Sequence, residues 1–335
     1  MKNNKSMHFF LASNSPRGFF SKMNIFDENL PGDWKCNIIK GSPGCGKSTY
    51  MKKIAKEVEE MNFGVEYIHC PSDPDSLDAV IFPDLKTCYV DGTAPHVIDP
   101  IFPGISGEII DLGKLKNLNE VANNKEQIFD LDKNCKKFYS KSQKYLIAFS
   151  SILSNSIEQS AETLDIEKLR KISNKISKTF FKKNLFKSSE KSIRLLSSMG
   201  PKGLIFFNQN FDLYDYVYYI KDDLNLISDI LLDNILKIAT KKGYDSIVCI
   251  NPLSLNEKIE SIMFPESSLA IFVSNRWQNF YVPESKKNYE EIEVKNLNSE
   301  INLDDVDILD TLLNKAEDSM LLAFESHSHL EQLYS

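Results

Sequence analysis

The feature that most constrains this chain runs from Ile38 to Tyr50: I-I-K-G-S-P-G-C-G-K-S-T-Y. Glycines at 41, 44 and 46 permit turns that residues with side chains resist, so the segment has to interrupt whatever precedes it. Before it, the stretch K-C-N-I-I-K alternates as a short strand does. After it, Tyr50, Met51, Ile54, Val58 and Met61 recur at helical spacing. Strand, glycine-rich turn and helix, in that order, belong to an α/β fold.

The same turn matches G-x-x-x-x-G-K-[ST], a pattern whose parts each have a physical reason. Glycine lets bare backbone N–H groups approach phosphate oxygens, the lysine sets an ammonium against terminal phosphates, and the serine hydroxyl can ligate magnesium. The helix that follows points its positive end at the anion. Gly41, Ser42, Pro43, Gly44, Cys45, Gly46, Lys47, Ser48 and Thr49 are therefore the expected cradle for ATP, with Mg2+ as its companion ion. Two further strands are expected, V-E-Y-I-H-C and T-C-Y-V-D-G-T. The second ends in Asp91, where a carboxylate can hold Mg2+ together with Ser48; Asp91-Gly92 also reads as an ordinary turn. Lys47, Asp91 and His96 are the expected catalytic residues. His96 and Asp99 fall in a Pro- and Gly-rich loop after Asp91, expected to leave the carboxyl end of a parallel sheet, where α/β proteins place ligands. His69 ends the neighbouring strand. For both histidines a role as ligand or acid–base group stands beside the plainer one of a satisfied structural residue.

The chain then repeats itself. F-F-L-A-S-N-S-P-R-G-F-F answers to I-R-L-L-S-S-M-G-P-K-G-L-I-F-F, N-I-I-K to Y-Y-I-K, L-D-A-V-I-F-P to I-E-S-I-M-F-P and T-C-Y-V-D-G-T to L-A-I-F-V-S-N, all in the same order. The second copy has K-D-D-L-N-L-I-S-D-I where the first has its cradle. The glycines and the lysine are gone, Asp222 and Asp223 would repel phosphate, and Val273 or Ser274 stands for Asp91. The reading is a duplicated unit whose second site has lost its phosphate and metal chemistry.

Between the copies, the apolar positions Ile128, Leu131, Cys135, Phe138, Tyr145 and Phe149 predict helix, and a helical hairpin inserted after the first sheet is expected. A matching C-terminal helix carries His327, His329 and Glu331, too few ligands to name a metal site. The expected organisation is a P-loop domain over 1–114, a helical insert over 115–192, a degenerate repeat over 193–297 and a C-terminal helical segment over 298–335. From Lys168 to Arg194 the chain turns basic and amphipathic. Such a stretch is ordinarily a solvated face, and it also suits nucleic acid or an anionic membrane surface. Over the whole chain the net charge is −7, which argues against a dedicated nucleic-acid binder. No apolar run reaches membrane-spanning length, and six cysteines without a C-x-x-C pair read as reduced thiols, so a cytoplasmic protein is expected.

Taken together, S-P-R-G, G-S-P-G-C-G-K-S-T, I-H-C-P-S-D-P-D-S-L-D-A-V-I-F-P and V-D-G-T-A-P-H-V-I-D-P resemble an uncharacterised bacterial family of tandem P-loop ATPases found mainly in Firmicutes. The resemblance covers most of the chain. It implies ATP binding and hydrolysis on two tandem P-loop NTPase-like αβα units. Members usually carry a phosphate-binding loop in both halves, and this chain departs from them in the second.

Three functions follow as expectations. The first is an ATPase whose cycle moves the helical parts or a protein partner, with the second half as a regulatory lid and Lys202 or Arg17 as a cationic finger. The second is a kinase for a nucleotide or other small-molecule acceptor; the absence of an arginine-rich lid counts against it. The third is a non-enzymatic ATP sensor or scaffold.

Overall fold

The structure, a computed structural model, describes residues 6–26, 32–94, 97–100, 102–115, 118–278, 289–294 and 301–334. His96 lies outside the described residues.

The first copy supplies β1 (Met7–Phe10), the hairpin β2 (Ala12–Ser15) and β3 (Gly18–Ser21), β4 (Lys35–Lys40), α1 (Lys47–Glu60), β5 (Glu66–His69), β6 (Leu77–Phe82), β7 (Thr87–Asp91) and β8 (Ile109–Asp111). Three helices follow: α2 (Leu118–Asn123), α3 (Lys125–Ala161) and α4 (Ile166–Phe180). The second copy repeats the series as β9 (Lys191–Arg194), the hairpin β10 (Ser197–Gly200) and β11 (Gly203–Phe206), β12 (Tyr216–Lys221), α5 (Ile227–Lys241), β13 (Ser246–Ile250), β14 (Ile259–Phe264), β15 (Leu269–Ser274), β16 (Tyr289–Glu291) and α6 (Leu303–Tyr334).

One six-stranded sheet has the order β1-β5-β6-β7-β4-β8, and the other has β9-β13-β14-β15-β12-β16. The strand order of the first is thus reproduced position by position in the second. So are its irregularities. A register shift falls between Ile68 and His69 and again between Cys249 and Ile250, and Lys86 and Ser268 both take φ 49 at the turn into β7 and β15.

The sheets are not parallel as expected. β6 runs antiparallel to both β5 and β7, and β14 to both its neighbours. The links explain it: residues 70–76 and 83–86 are too short for the crossover that parallel neighbours need.

Layering also differs from αβα. Alternate residues of the first sheet face opposite ways. Ile39, Val80 and Phe82 pack with Met51, Ala55 and Val58 of α1. Ile38, Ala79, Ile81, Cys88 and Val90 instead share one buried cluster with Val217, Met263, Ala270 and Phe272 of the second sheet. The outer face of that second sheet is covered by α5 and α4. The order of layers is therefore helix, sheet, sheet, helices. With cover on both faces, the central strands β6, β14 and β15 are buried along nearly their whole length and read as nearly continuous apolar runs.

A pseudo-twofold axis relates the copies. Phe10 and Leu195, 185 positions apart, exchange both backbone hydrogen bonds, at 2.8 and 2.9 Å. Asn14 and Met199, also 185 apart, pair where β2 meets β10, joining the two hairpins into one antiparallel sheet of order β11-β10-β2-β3. Equivalent residues pairing with each other is the signature of an isologous contact.

The long helices follow the same symmetry. The Asn302 backbone N–H donates to Ser156 Oγ at 3.2 Å, so α6 begins where α3 ends. Leu146 and Phe149 of α3 pack with Leu309, Leu313, Ala316 and Met320 of α6. The expected inserted hairpin does not form: α3 pairs with α6 from the far end of the chain, and α4 packs on α5.

Candidate phosphate site

β4 delivers the glycine-rich turn at its carboxyl end. Gly44 and Gly46 take φ 67 and 89, left-handed values that favour glycine. Gly46 is the N-cap of α1 and carries no side chain to cap it. A Cβ built on Gly46 meets nothing within 4 Å. By contrast, α4 is capped by Asp165, which accepts from the Lys168 backbone N–H. The helix that follows the turn thus presents its positive end to an open position, the local arrangement an anion requires.

Lys47 lies across this turn. Its Nζ donates to the carbonyls of Gly41 (3.0 Å) and Ser42 (3.1 Å) and stands 3.6 Å from Asp91 Oδ2. Both side chains of the pair are largely buried, 11% and 19% exposed. Asp91 Oδ1 accepts from the backbone N–H of Thr93 at 2.9 Å and from its hydroxyl at 2.5 Å, so Asp91 both faces the lysine and closes its own turn. Ser48 Oγ accepts from the Leu77 backbone N–H at 3.0 Å, tying the start of α1 to the start of β6. Cys45 Sγ lies where a Cβ on Gly41 would fall, so a side chain at 41 would have to turn Cys45 aside. Thr49 is exposed on the first turn. The apex of the loop meets α6: a Cβ on Gly44 would come within 3.1 Å of the Glu331 carbonyl oxygen.

A further carboxyl group, Asp78, stands beside the pair. It is the second residue of the strand L-D-A-V-I-F, and the register that pairs Ala79 with Val90 sets it opposite Asp91. Burial first, and then the Asp91 carboxylate, push its pKa up to about 7, while Cys70 and Lys47 act against the rise. The signal was present: an acid in an otherwise apolar strand, answered by Glu260 in I-E-S-I-M-F of the second copy.

The loop after Asp91 does not stay at this end of the sheet. Lys40 Nζ holds its first part, donating to Gly92 O (2.8 Å) and Ile98 O (2.6 Å) and pairing with Asp99 at 2.9 Å. The chain then descends to the opposite end of β4, where a Cβ on Gly107 would fall 1.7 Å from the Cys36 carbonyl oxygen, and it returns as β8. His69 has both ring nitrogens engaged. Its Nδ1 donates to Pro74 O at 2.7 Å, its Nε2 meets His8 Nδ1 at 2.9 Å, and burial lowers its pKa to about 4. His327 pairs with Glu331 at 3.6 Å, and no group of three or more His, Cys, Asp or Glu among the described residues is arranged to hold a metal ion.

The two candidate cations are exchanged across the pseudo-twofold. Lys202, from the second copy's hairpin, pairs with Asp75 of the first at 2.7 Å. Arg17, from the first copy's hairpin, pairs with Glu257 of the second at 3.1 Å. Lys202 therefore reaches the loop that leads into Leu77, and Arg17 is turned away from the first site.

The second copy's loop is closed by its own side chain. Buried Asp222 accepts from the Ser228 backbone N–H (2.8 Å) and hydroxyl (2.7 Å) at the start of α5. A carboxylate thus occupies the anion position of this helix. Asp223 accepts from the Arg276 backbone N–H at 2.8 Å. The contact made by Ser48 survives in altered form, with Asp229 Oδ1 accepting from the Ile259 backbone N–H at 2.8 Å.

No protein-family model, curated protein or solved structure matches this chain.

Proposed function

We propose that the protein binds MgATP at the first copy's loop and hydrolyses it, and that the second copy serves the same site as a non-catalytic partner. The observation that carries this reading is the contrast between two equivalent helix starts. α1 begins at a bare left-handed glycine with Lys47 lying over the turn, and α5 begins under the carboxylate of Asp222.

The residues present suit the nucleotide and its ion. The turn offers backbone N–H groups and an uncapped helix start for phosphate oxygens, and Lys47 already lies over it. Ser48 and Asp91 are the oxygen donors that would hold Mg2+, which supplies charge neutralisation on the phosphates. In this structure Lys47 is satisfied by two loop carbonyls and Asp91, so engaging an anion requires it to exchange those partners. Asp78, buried opposite Asp91 and bonded to Cys70, sets a second carboxyl group beside that carboxylate, so its protonation governs the charge Asp91 meets there. The contact of α6 with Gly44 gives movement of the loop a mechanical path into the α3–α6 pair, as expected of a cycle that moves the helical parts.

The test is ADP formation from MgATP by the purified protein beside Lys47→Ala. Turnover without an added acceptor, lost in the variant, supports hydrolysis. Turnover only with an acceptor identifies a kinase, and tight Mg-dependent binding without turnover identifies a sensor.

A further inference from the structure

The basic stretch noted in the sequence has no part in the phosphate site. Between residues 168 and 191 it carries nine lysines and arginines against a single acid, Glu190, in a chain whose net charge is −7. Its placement makes the charge one-sided. Leu169, Ser173 and Ser177 of α4 are buried, with Ile172, Ile176 and Phe180 packed beside them against the second sheet's outer layer. Lys171, Lys175 and Lys178 lie about half a helical turn from that seam, and all three are exposed. Lys182 and Lys183 extend the row into the following turn, also exposed. Arg170 is paired to Glu167, and Lys187 to Asp245 and Glu266, so these two cations are already answered by the protein itself.

The turn beyond α4 ends the row with an aromatic side chain in solvent. Phe186 is 90% exposed and holds φ 52, a left-handed value that a bulky residue adopts at a cost. The conformation is built. The Phe186 backbone N–H donates to Asn184 Oδ1 at 3.0 Å. The preceding Leu185 packs inward, and its N–H donates to Lys242 O at 2.8 Å. Anchoring Leu185 while turning Phe186 outward places one large apolar group at the edge of a lysine face.

We propose that this face, Lys171, Lys175, Lys178, Lys182 and Lys183 with Phe186 at its tip, docks the protein on an anionic phospholipid surface. Charge complementarity names the partner. A row of exposed lysines gains attraction from each added anionic headgroup it meets, and a single phenylalanine at its edge enters the acyl boundary. Single-stranded nucleic acid is the poorer fit. Base stacking takes a succession of aromatic faces, and the outward face of α4 offers lysine and asparagine.

Vesicle co-sedimentation of the full chain, without nucleotide, tests this independently of the ATPase reading. Binding is expected to phosphatidylcholine vesicles that contain phosphatidylglycerol, to be absent on phosphatidylcholine alone and to fall with salt. The triple variant Lys171→Gln, Lys175→Gln, Lys178→Gln is expected to bind about a hundredfold more weakly, at roughly fivefold per lysine. Phe186→Ser is expected to lose about tenfold with the salt dependence unchanged. All three lysines and Phe186 are exposed, so unchanged melting temperatures establish that the variants are folded. No binding to anionic vesicles at low salt, equal binding to pure phosphatidylcholine, or full binding by the triple variant overturns the proposal. Tighter binding of a nucleic-acid oligonucleotide through the same lysines overturns it in favour of nucleic acid.

Discussion

Replacing Glu260 by glutamine should change how stability depends on pH, and by a calculable amount. Glu260 is 1% exposed on β14. Ser197 Oγ lies 2.7 Å from Oε1 and 2.9 Å from Oε2, and Gln278 Nε2 donates to Oε1 at 2.6 Å. Burial raises its pKa from 4.5 to about 7, while these hydrogen bonds limit the rise. In the folded protein the proton stays on until about pH 7, and in the unfolded chain it leaves near 4.5. Between those values the folded state binds more protons, so stability falls as pH rises. Glu260 contributes fully below about pH 4.5, and that contribution is lost as pH rises through 7. A shift of this size corresponds to on the order of 3 kcal/mol. Glutamine imitates the protonated acid and cannot ionise. Urea unfolding at pH 5 and pH 8 reads the effect. The stability difference between Glu260→Gln and the parent should move in the variant's favour by about that amount across the range, with all other titrations cancelling in the comparison. Parallel curves for the two proteins would refute the argument, since they would mean that Glu260 ionises alike in both states.

Other outcomes follow from the same geometry. Asp222→Ala removes the acceptor that caps α5 and should cost about 1–2 kcal/mol in unfolding free energy, leaving Lys47-dependent nucleotide binding unchanged. Glu66→Gln removes the charge that answers Arg194, whose Nε and Nη2 donate to Glu66 Oε2 at 3.0 and 2.8 Å across the two copies, while keeping an acceptor oxygen; both side chains are mostly buried, and a loss of about 3 kcal/mol is expected by denaturant titration. Asp78→Asn should leave ATP affinity within a few-fold and lower turnover, and Asp78→Glu should restore part of it; equal turnover by parent and Asp78→Asn would remove Asp78 from the account.

Much of the candidate site's local structure was legible because its residues are close together in the chain. The glycines, Lys47 and Ser48 lie on one short loop, the flanking strand and helix have clear periods, and α1 begins at Lys47 as the motif requires. The duplication was legible too, down to matched strand ends. What covers the inner faces of the strands was not. Ile38 and Val90 read simply as apolar, and nothing in the periodicity says that they share a buried cluster with Ala270 and Phe272 of the other copy, far along the chain. Strand direction was readable in principle, since the links before β6 and β7 are too short for a crossover. Asp78 escaped for a related reason: its place opposite Asp91 exists only once β6 runs antiparallel. The pairing of α3 with α6 escaped because amphipathic helices declare an apolar face without naming the partner that buries it.

The proposed function rests on a helix start left bare at Gly46 and its counterpart closed by Asp222. Calorimetric titration of the full chain with MgATP tests it most directly. One nucleotide should bind per chain, and Lys47→Ala should abolish the binding. Two nucleotides per chain, or one that survives Lys47→Ala, would contradict it.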